Sequence, residues 1–211
     1  MNAMPQDLVV PAVLRSDLSR IADMVERGSR VLDVGCGDGA LLEVLKRTKG
    51  ADARGIELSQ AGVNACVARG LSVVQGDADR DLASYPSDVF DYVILSQTIQ
   101  ATHNPKAVLS EIARIGRRAI VSLPNFGFWK VRLKLLFSGR MPITGLLSHP
   151  WHETPNIHLC TVHDFVELTR SLGMKIEQSI AIHETGRALP FTAPDVLENL
   201  LAVEAIFLLS R

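Results

Sequence analysis

The chain has 211 residues and a formal net charge of −1, with 47% hydrophobic and 21% charged residues. This composition is typical of a globular protein, and the length suits one domain with a sizeable core. The near-neutral charge gives no basic field that would attract nucleic acid. No apolar run approaches the roughly 20 residues that cross a bilayer. We therefore expect a single domain over residues 1–211 that binds neither nucleic acid nor membrane.

The cysteines and the N-terminal sequence indicate a reducing compartment. Three cysteines (Cys36, Cys66 and Cys160) are widely spaced and odd in number, which favours neither a disulfide framework nor a paired-cysteine metal site. The first ten residues, MNAMPQDLVV, lack the basic start and long apolar core of a signal peptide. We expect a cytoplasmic protein without a bound metal.

Short apolar strands alternate with helices along the first 123 residues. The predicted strands cover residues 30–34, 53–57, 71–75, 90–95 and 117–123, and the predicted helices cover 16–27, 39–47, 59–69 and 105–114. Gly28 and Gly70 follow helix ends and Pro105 opens a helix, as these residue types usually do. The alternation predicts a parallel sheet with helices on both faces.

The alternation breaks over residues 124–160, which contain four prolines and no regular strand pattern. A segment of this length inside a compact domain usually has a function, so we treat it as an insertion. The remaining predicted elements are a helix that Thr161 and Asp164 cap and Gly173 ends, a strand over 174–182, a short helix from Asp195 and a last strand over 201–209.

Residues 31–39, VLDVGCGDG, join a buried strand to the next helix through a glycine-spaced turn. Glycine has no Cβ, so the backbone can approach a ligand, and the helix N-terminus offers unpaired N–H groups. The spacing of Gly35, Gly37 and Ala40 also fits a variant of the dinucleotide fingerprint. Asp33 argues against a dinucleotide, because a carboxylate at the mouth of the site would repel a pyrophosphate. The motif therefore favours a cationic ligand without phosphate, such as S-adenosylmethionine.

Acidic residues also follow the second and third predicted strands. Glu57 is suited to a ribose, because a carboxylate accepts hydrogen bonds from both sugar hydroxyls; the alternative is an exposed residue at a strand end. Asp77 is suited to accept from an adenine amino group; the alternative is a polar turn. Asp79 and Asp81 are expected to be solvated loop carboxylates; the alternative is that they extend the acidic rim of the site. Because the carboxyl ends of parallel strands meet at one edge of a sheet, Asp33, Glu57 and Asp77 predict a ligand site along that edge.

These residues resemble class I S-adenosylmethionine-dependent methyltransferases, whose successive motifs match residues 33–39, Glu57, Asp77 and residues 90–95 in order and spacing. More specific resemblance is to the MetW branch, a family of methionine-biosynthesis proteins with a methyltransferase fold. It is carried by residues 96–100 (SQTIQ), 123–132 (LPNFGFWKVR) and 154–161 (TPNIHLCT), and it runs from about residue 15 to the C-terminus. The resemblance implies a doubly wound α/β fold with a mostly parallel seven-stranded sheet whose last strand is antiparallel.

The resemblance also implies a ligand and a partner. The ligand is S-adenosylmethionine or S-adenosylhomocysteine, and the partner is homoserine O-acyltransferase. The implied cofactor contacts are Asp33, Gly35, Cys36, Gly37, Glu57, Leu58, Asp77, Ala78, Ser96 and Gln97. Two functions stay open: a partner that reports methionine supply to the acyltransferase, or a methyltransferase acting on a small molecule. The oligomeric state, a homo-oligomer included, stays open as well.

Histidines are the first candidates if methyl transfer needs a base, because their pKa lies near neutrality. His103 follows the fourth strand and would face the methyl end of the cofactor; the alternative is a plain loop residue. His152 and His158 lie in the insertion that is expected to cover the site. A zinc site built from these two and His149 would need a fixed geometry and usually a further ligand, and the prolines between them disfavour it.

Segment 126–143 combines apolar groups around most of a helix circumference with four basic side chains. A helix that is apolar on more than one side requires burial on both. We expect either a lid over the site or a docking surface for another protein, because aromatic residues and Arg are enriched at interface centres. The segment is short for a membrane-surface helix.

Overall fold

A computed structural model describes residues 16–145 and 147–211. The strands are β1 (Arg30–Val34), β2 (Asp52–Glu57), β3 (Ser72–Gln75), β4 (Phe90–Ser96), β5 (Gly116–Pro124), β6 (Lys175–His183), β7 (Ala188–Pro190) and β8 (Ala202–Ser210). The helices are α1 (Ser16–Met24), α2 (Ala40–Lys49), α3 (Gln60–Ala68), α4 (Ala78–Asp81), α5 (Pro105–Ile115), α6 (Trp129–Ser138), α7 (Val162–Ser171) and α8 (Val196–Leu201). The N-terminal sequence that led us to expect no signal peptide lies outside the described residues.

The strands form one sheet in the order β3-β2-β1-β4-β5-β8-β6-β7. The first five pair in parallel, whereas β8 runs antiparallel to both β5 and β6. This confirms the predicted doubly wound fold with its antiparallel last strand. The sheet has eight strands in the described residues rather than seven, because the three-residue strand β7 pairs with β6 at one edge. A strand this short gives no periodicity that a sequence pattern could detect.

Apolar side chains cover both faces of the sheet, as a parallel sheet between two helix layers requires. Successive residues of a strand point to opposite faces, and on β4 Val93 and Ile94 accordingly belong to different clusters. The cluster around Val93 includes Leu109 of α5, and the cluster around Ile94 includes Leu45 of α2. All four side chains are fully buried, so apolar core lies on both faces of the sheet.

Local signals set the helix ends. The Oγ1 of Thr161 accepts the N–H of Asp164, and Asp164 accepts the N–H of Thr161, which confirms the predicted cap of α7. The side chain of Asn104 accepts the N–H of Ala107 with Pro105 in the first turn of α5. These caps satisfy N–H groups that a helix leaves unpaired. The described chain contains no helix with the length and apolar character that crossing a membrane requires.

The insertion between β5 and α7 contains α6. Val131 is buried in this helix, while Leu136 is 73% exposed and Phe137 is 81% exposed. The helix is therefore packed on one side and presents apolar groups on the other. Burial on both sides, which the sequence led us to expect, is met on one side only in the described residues, and the lid or docking role stays a prediction.

Candidate cofactor site

A cavity of about 290 Å³ lies at the carboxyl ends of β1, β2, β3 and β4; we call it the first cavity. The loops after these strands form its walls, and Pro155 and Asn156 of the insertion contribute to its lining. The predicted cofactor residues that line it are Gly35, Glu57, Leu58, Asp77, Ala78 and Gln97. The sheet thus brings together, at one edge, residues that are separated by tens of positions in the sequence.

The other four predicted residues do not line this cavity in the described part of the chain. Asp33 and Cys36 are buried, and the Sγ of Cys36 lies 4.0 Å from the Sγ of Cys66. Gly37 lies in the glycine loop, and the carbonyl of Ser96 accepts the hydroxyl of Thr98 at 3.0 Å.

Glu57 holds the glycine loop against the end of β2. Its Oε2 accepts the N–H of Gly37 at 2.8 Å, and its Oε1 accepts the N–H of Ser59 at 2.8 Å. Each carboxylate oxygen can accept a further hydrogen bond, and the side chain lines the first cavity. Glu57 therefore combines an acceptor at the cavity with a structural task that the sequence did not predict.

Two glycines of the loop are needed for different reasons. Gly35 has φ +75°, and a Cβ added there would lie 2.7 Å from side-chain atoms of Thr98. Gly37 has φ +55° but no atom within 4 Å of the added Cβ. Both conformations are left-handed and favour glycine. Only at Gly35 would an added Cβ also collide with a neighbouring side chain.

Asp33 lies beneath the loop rather than at its mouth, where we expected it. It is 2% exposed, and its Oδ1 has no hydrogen-bond partner among the described residues. Burial, and to a smaller extent the charge of Glu57, raise the pKa of Asp33 to about 7. A carboxyl group that is buried without a full set of partners attracts a neighbouring cation strongly, because little water screens the interaction.

The turn after β3 carries three carboxylates that organise the loops. Asp77 accepts the N–H of Asp79 at 2.9 Å, and Asp81 accepts the N–H of Asp77 at 2.7 Å. Asp79 accepts the N–H groups of His103 and Asn104, both at 2.8 Å. Through these two hydrogen bonds Asp79 holds the loop after β4 against the turn after β3. We expected Asp79 and Asp81 to be solvated carboxylates, and the structure gives both of them backbone partners.

The candidate histidines are dispersed. His103 is exposed and lines the first cavity, whereas His152 and His158 are exposed and do not line it. The N–H groups of Ile157 and His158 both donate to the carbonyl of Gln100 at 2.9 Å, which anchors the insertion beside the site. Within residues 16–145 and 147–211, no group of three or more His, Cys, Asp or Glu side chains could hold a metal ion.

Gln97 connects the first cavity to a buried carboxyl group. Its Nε2 donates to the Oε1 of Glu204 at 2.9 Å, and Glu204 is 3% exposed. Burial and the charge of Asp17 raise the pKa of Glu204 to about 8, although hydrogen bonds from Gln97 and Ser122 lower it. Sequence reasoning missed Glu204 because it lies within an apolar run that predicts a buried strand.

Solved structures show the class of fold. A methyltransferase from Thermotoga maritima, described as S-adenosylmethionine-dependent, superposes with a TM-score of 0.69 at 16% identity, covering 94% of this chain and 88% of that chain. The 4+2 cyclase SpnF superposes with a TM-score of 0.63 at 17% identity, covering 100% of this chain and 84% of that chain. At these identities the likeness concerns the fold, which is the Rossmann-like fold of class I methyltransferases.

Sequence comparison gives the family. The family model for the methionine biosynthesis protein MetW matches residues 15–209. The bifunctional methionine biosynthesis protein MetXA/MetW of Rhodopirellula baltica is 35% identical over 187 residues, covering 84% of this chain and 29% of that protein. The chain belongs to the MetW family, which confirms the resemblance predicted from its sequence. It spans less than a third of the length of this relative.

Proposed function

We propose that this protein binds S-adenosylmethionine in the first cavity and acts in methionine biosynthesis as a partner of homoserine O-acyltransferase. The observation that carries the proposal is that the carboxyl groups of Glu57 and Asp77 line one cavity at the ends of successive strands, with the buried Asp33 of β1 beneath the glycine loop beside it. A pyrophosphate would face repulsion from all three. A nucleoside that carries positive charge and no phosphate fits them.

Each carboxyl group has a distinct task in this proposal. Glu57 lines the cavity and has acceptor capacity for the two ribose hydroxyls. Asp77 also lines the cavity, and in this proposal its carboxylate accepts from the adenine amino group. Asp33 gives a buried negative charge for the cationic half of the ligand, which carries an ammonium and a sulfonium. When bound, S-adenosylmethionine supplies a methyl group activated by the positive sulfur.

The partner role rests on a different observation. The Rhodopirellula baltica relative carries both MetXA and MetW in its name, and the joining of two functions in one chain favours their association. The apolar side chains on α6, with Leu136 and Phe137 largely exposed, suit a protein contact. S-adenosylmethionine bound to this protein would then report methionine supply to the acyltransferase.

Methyl transfer to a small molecule is the second candidate. It is favoured by His103, which lines the first cavity and belongs to the residue type that most often serves as a general base. Alignment of the reacting groups supplies much of the rate in such a displacement, so a strong base is not required. The fold does not decide between the two functions, because a single fold hosts unrelated activities.

Calorimetric titration with S-adenosylmethionine tests the site. We expect the wild-type protein to bind and Asp33→Ala to bind at least about tenfold more weakly, since a hydrogen-bonded or paired charge contributes roughly 1.5–3 kcal/mol. Glu167→Gln on α7 changes an exposed carboxylate away from the cavity and serves as the matched control. Undiminished binding in both Asp33→Ala and Glu57→Ala, with both variants folded, would refute the placement of the ligand.

A further inference from the structure

A second cavity of about 410 Å³ lies at the same edge of the sheet, between β5, α6, β6 and β8. Apolar side chains form much of its lining, among them Phe128, Val131, Ile182 and Val203. It shares no lining residue with the first cavity in the described part of the chain. The hydrogen bond from Gln97 to Glu204 separates them, because Gln97 lines the first cavity and Glu204 lines the second.

The second cavity contains a buried acidic group. Glu204 is 3% exposed, and Gln97 donates to its Oε1. A carboxylate can accept several hydrogen bonds, so the contacts from Gln97 and Ser122 leave capacity for a donor in the cavity. Burial raises the pKa of Glu204 to about 8, so the group holds its proton near neutral pH unless a cation compensates the buried charge. A cationic donor in the cavity would supply that compensation.

The lining also contains a lysine that donates a hydrogen bond to a neutral group. Lys134 donates to the carbonyl of Ile143 at 3.0 Å, and within residues 16–145 and 147–211 it forms no salt bridge. An ammonium has three donors, so Lys134 can also bind an anion. The other lysine, Lys130, is neutralised by both oxygens of Glu184, at 2.7 and 2.6 Å.

A second carboxylate of this region, that of Glu198, lies against a histidine. The Nε2 of His183, which lines the second cavity, lies 3.1 Å from the Oε2 of Glu198. Their side chains are 20% and 14% exposed. The charges left for a ligand are therefore one buried acid, Glu204, and one lysine, Lys134, beside an apolar surface.

We propose that the second cavity binds a small zwitterion with an aliphatic body, with its ammonium at Glu204 and its carboxylate at Lys134. A ligand with only an anionic group would bring like charge to Glu204, and a ligand with only an ammonium would leave Lys134 without an anion. An apolar chain would cover the aliphatic and aromatic lining. Amino acids are the simplest compounds of this class. The site is separate from the proposed S-adenosylmethionine site and goes beyond that function.

Four six-carbon compounds of similar size test the proposal by calorimetry. L-Norleucine carries both charges at one end, and 6-aminohexanoate carries them at opposite ends. Hexylamine lacks the carboxylate, and hexanoate lacks the ammonium. We expect one of the zwitterions to bind at least about tenfold more tightly than both singly charged compounds, as expected for one charge-assisted contact. A singly charged compound that binds as tightly, or no zwitterion binding up to about 10 mM, would overturn the proposal.

Substitutions of Glu204 and Lys134 test whether the zwitterion binds in the second cavity. Glu204→Gln keeps the shape of the side chain, and Lys134→Met keeps its length on an exposed part of α6. Each is expected to weaken binding of the preferred zwitterion about tenfold. Lys106→Met on α5, an exposed lysine that lines neither cavity, is the matched control. Unchanged binding in Lys134→Met would overturn the proposal even if Glu204→Gln did not fold.

The same titration in the presence of S-adenosylmethionine separates the two sites. We expect the zwitterion to bind without displacing S-adenosylmethionine. Displacement would show that the compound occupies the methionyl end of the cofactor site and would overturn the second cavity as a separate site. Zwitterion binding in a protein that does not bind S-adenosylmethionine would contradict the proposed function and support this inference.

Discussion

Gln97 donates a hydrogen bond from Nε2 to the Oε1 of Glu204 at 2.9 Å, and this bond joins the walls of the two cavities. Gln97 has φ 51°, a left-handed conformation that is uncommon outside glycine and is often found at functional sites. Its N–H donates to the carbonyl and to the hydroxyl of Ser122, both at 3.1 Å. A change in the charge of Glu204 therefore acts on a side chain of the first cavity.

We predict that Glu57→Ala weakens S-adenosylmethionine binding about 10-fold to 100-fold, the range for lost hydrogen bonds to a charged group. The substitution removes the acceptor in the first cavity and releases the N–H groups of Gly37 and Ser59. Calorimetry measures the affinity, and Glu43→Ala on α2 controls for the loss of a carboxylate outside the cavity. Equal affinities for wild type and Glu57→Ala would contradict the assignment.

Binding of S-adenosylmethionine is predicted to weaken as the pH falls from about 8 to about 6. The ionised form of Asp33 attracts the cationic ligand, and with a pKa of about 7 in the folded protein that form is depleted as the pH falls. Each pH unit below the pKa reduces the ionised fraction about tenfold. Asp33→Asn cannot ionise and is expected to bind weakly with a flat profile. A wild-type profile that is also flat would show that Asp33 does not bind the cation.

Asp33 also predicts the pH dependence of stability without ligand. Its folded-state pKa, about 7, lies above its ordinary value of 3.8, so the folded state holds this proton more tightly than the unfolded chain. The stabilisation by that proton is present at low pH and is lost as the pH rises through about 7. The free energy of unfolding of Asp33→Asn should therefore rise relative to wild type from about pH 4 and level off above about pH 7. Urea unfolding measures the difference, and a constant difference would contradict the burial of this carboxyl group.

Gly35→Ala is predicted to destabilise the protein more than Gly37→Ala. Both glycines have a positive φ, but only the Cβ at Gly35 would meet Thr98 at 2.7 Å. For Gly37→Ala we expect a loss of about 1–2 kcal/mol from backbone conformation alone, and a larger loss for Gly35→Ala because the contact adds to it. Chemical unfolding of the two variants gives the comparison, and equal losses would contradict the close packing of Thr98 on the loop.

Asn125 is predicted to be a structural residue of the insertion. Its Nδ2 donates to the carbonyls of Asn199 and Ala202 at 2.9 and 2.8 Å, and its Oδ1 accepts two backbone N–H groups. Asn125→Ala leaves these buried groups unpaired, so we expect the free energy of unfolding to fall by about 2–4 kcal/mol. The exposed Asn64→Ala is the control. A loss no larger than that of Asn64→Ala would show that the buried groups find other partners.

The sequence predicted those features that depend on neighbouring residues in the chain. The parallel sheet follows from the alternation of strands and helices, the antiparallel last strand from the family resemblance, and the acids at strand ends from the strands themselves. Asp79 illustrates what was missed, because its partner His103 is 24 residues away and only the sheet brings the two loops together. Glu204 is 107 residues from Gln97 and lies in an apolar strand. Such contacts leave no local pattern in the sequence, so neither the hydrogen bonds of Asp79 to the loop after β4 nor the second cavity could be predicted.

Acyl transfer by homoserine O-acyltransferase, measured with and without this protein, tests the central claim most directly. The assay is run in the absence and presence of S-adenosylmethionine, with a pull-down of the two purified proteins alongside it. We predict that the proteins associate and that the acyl-transfer rate changes, with a dependence on S-adenosylmethionine that Glu57→Ala reduces. If the two proteins neither associate nor alter the rate, the partner role is contradicted and methyl transfer to a small molecule becomes the leading function.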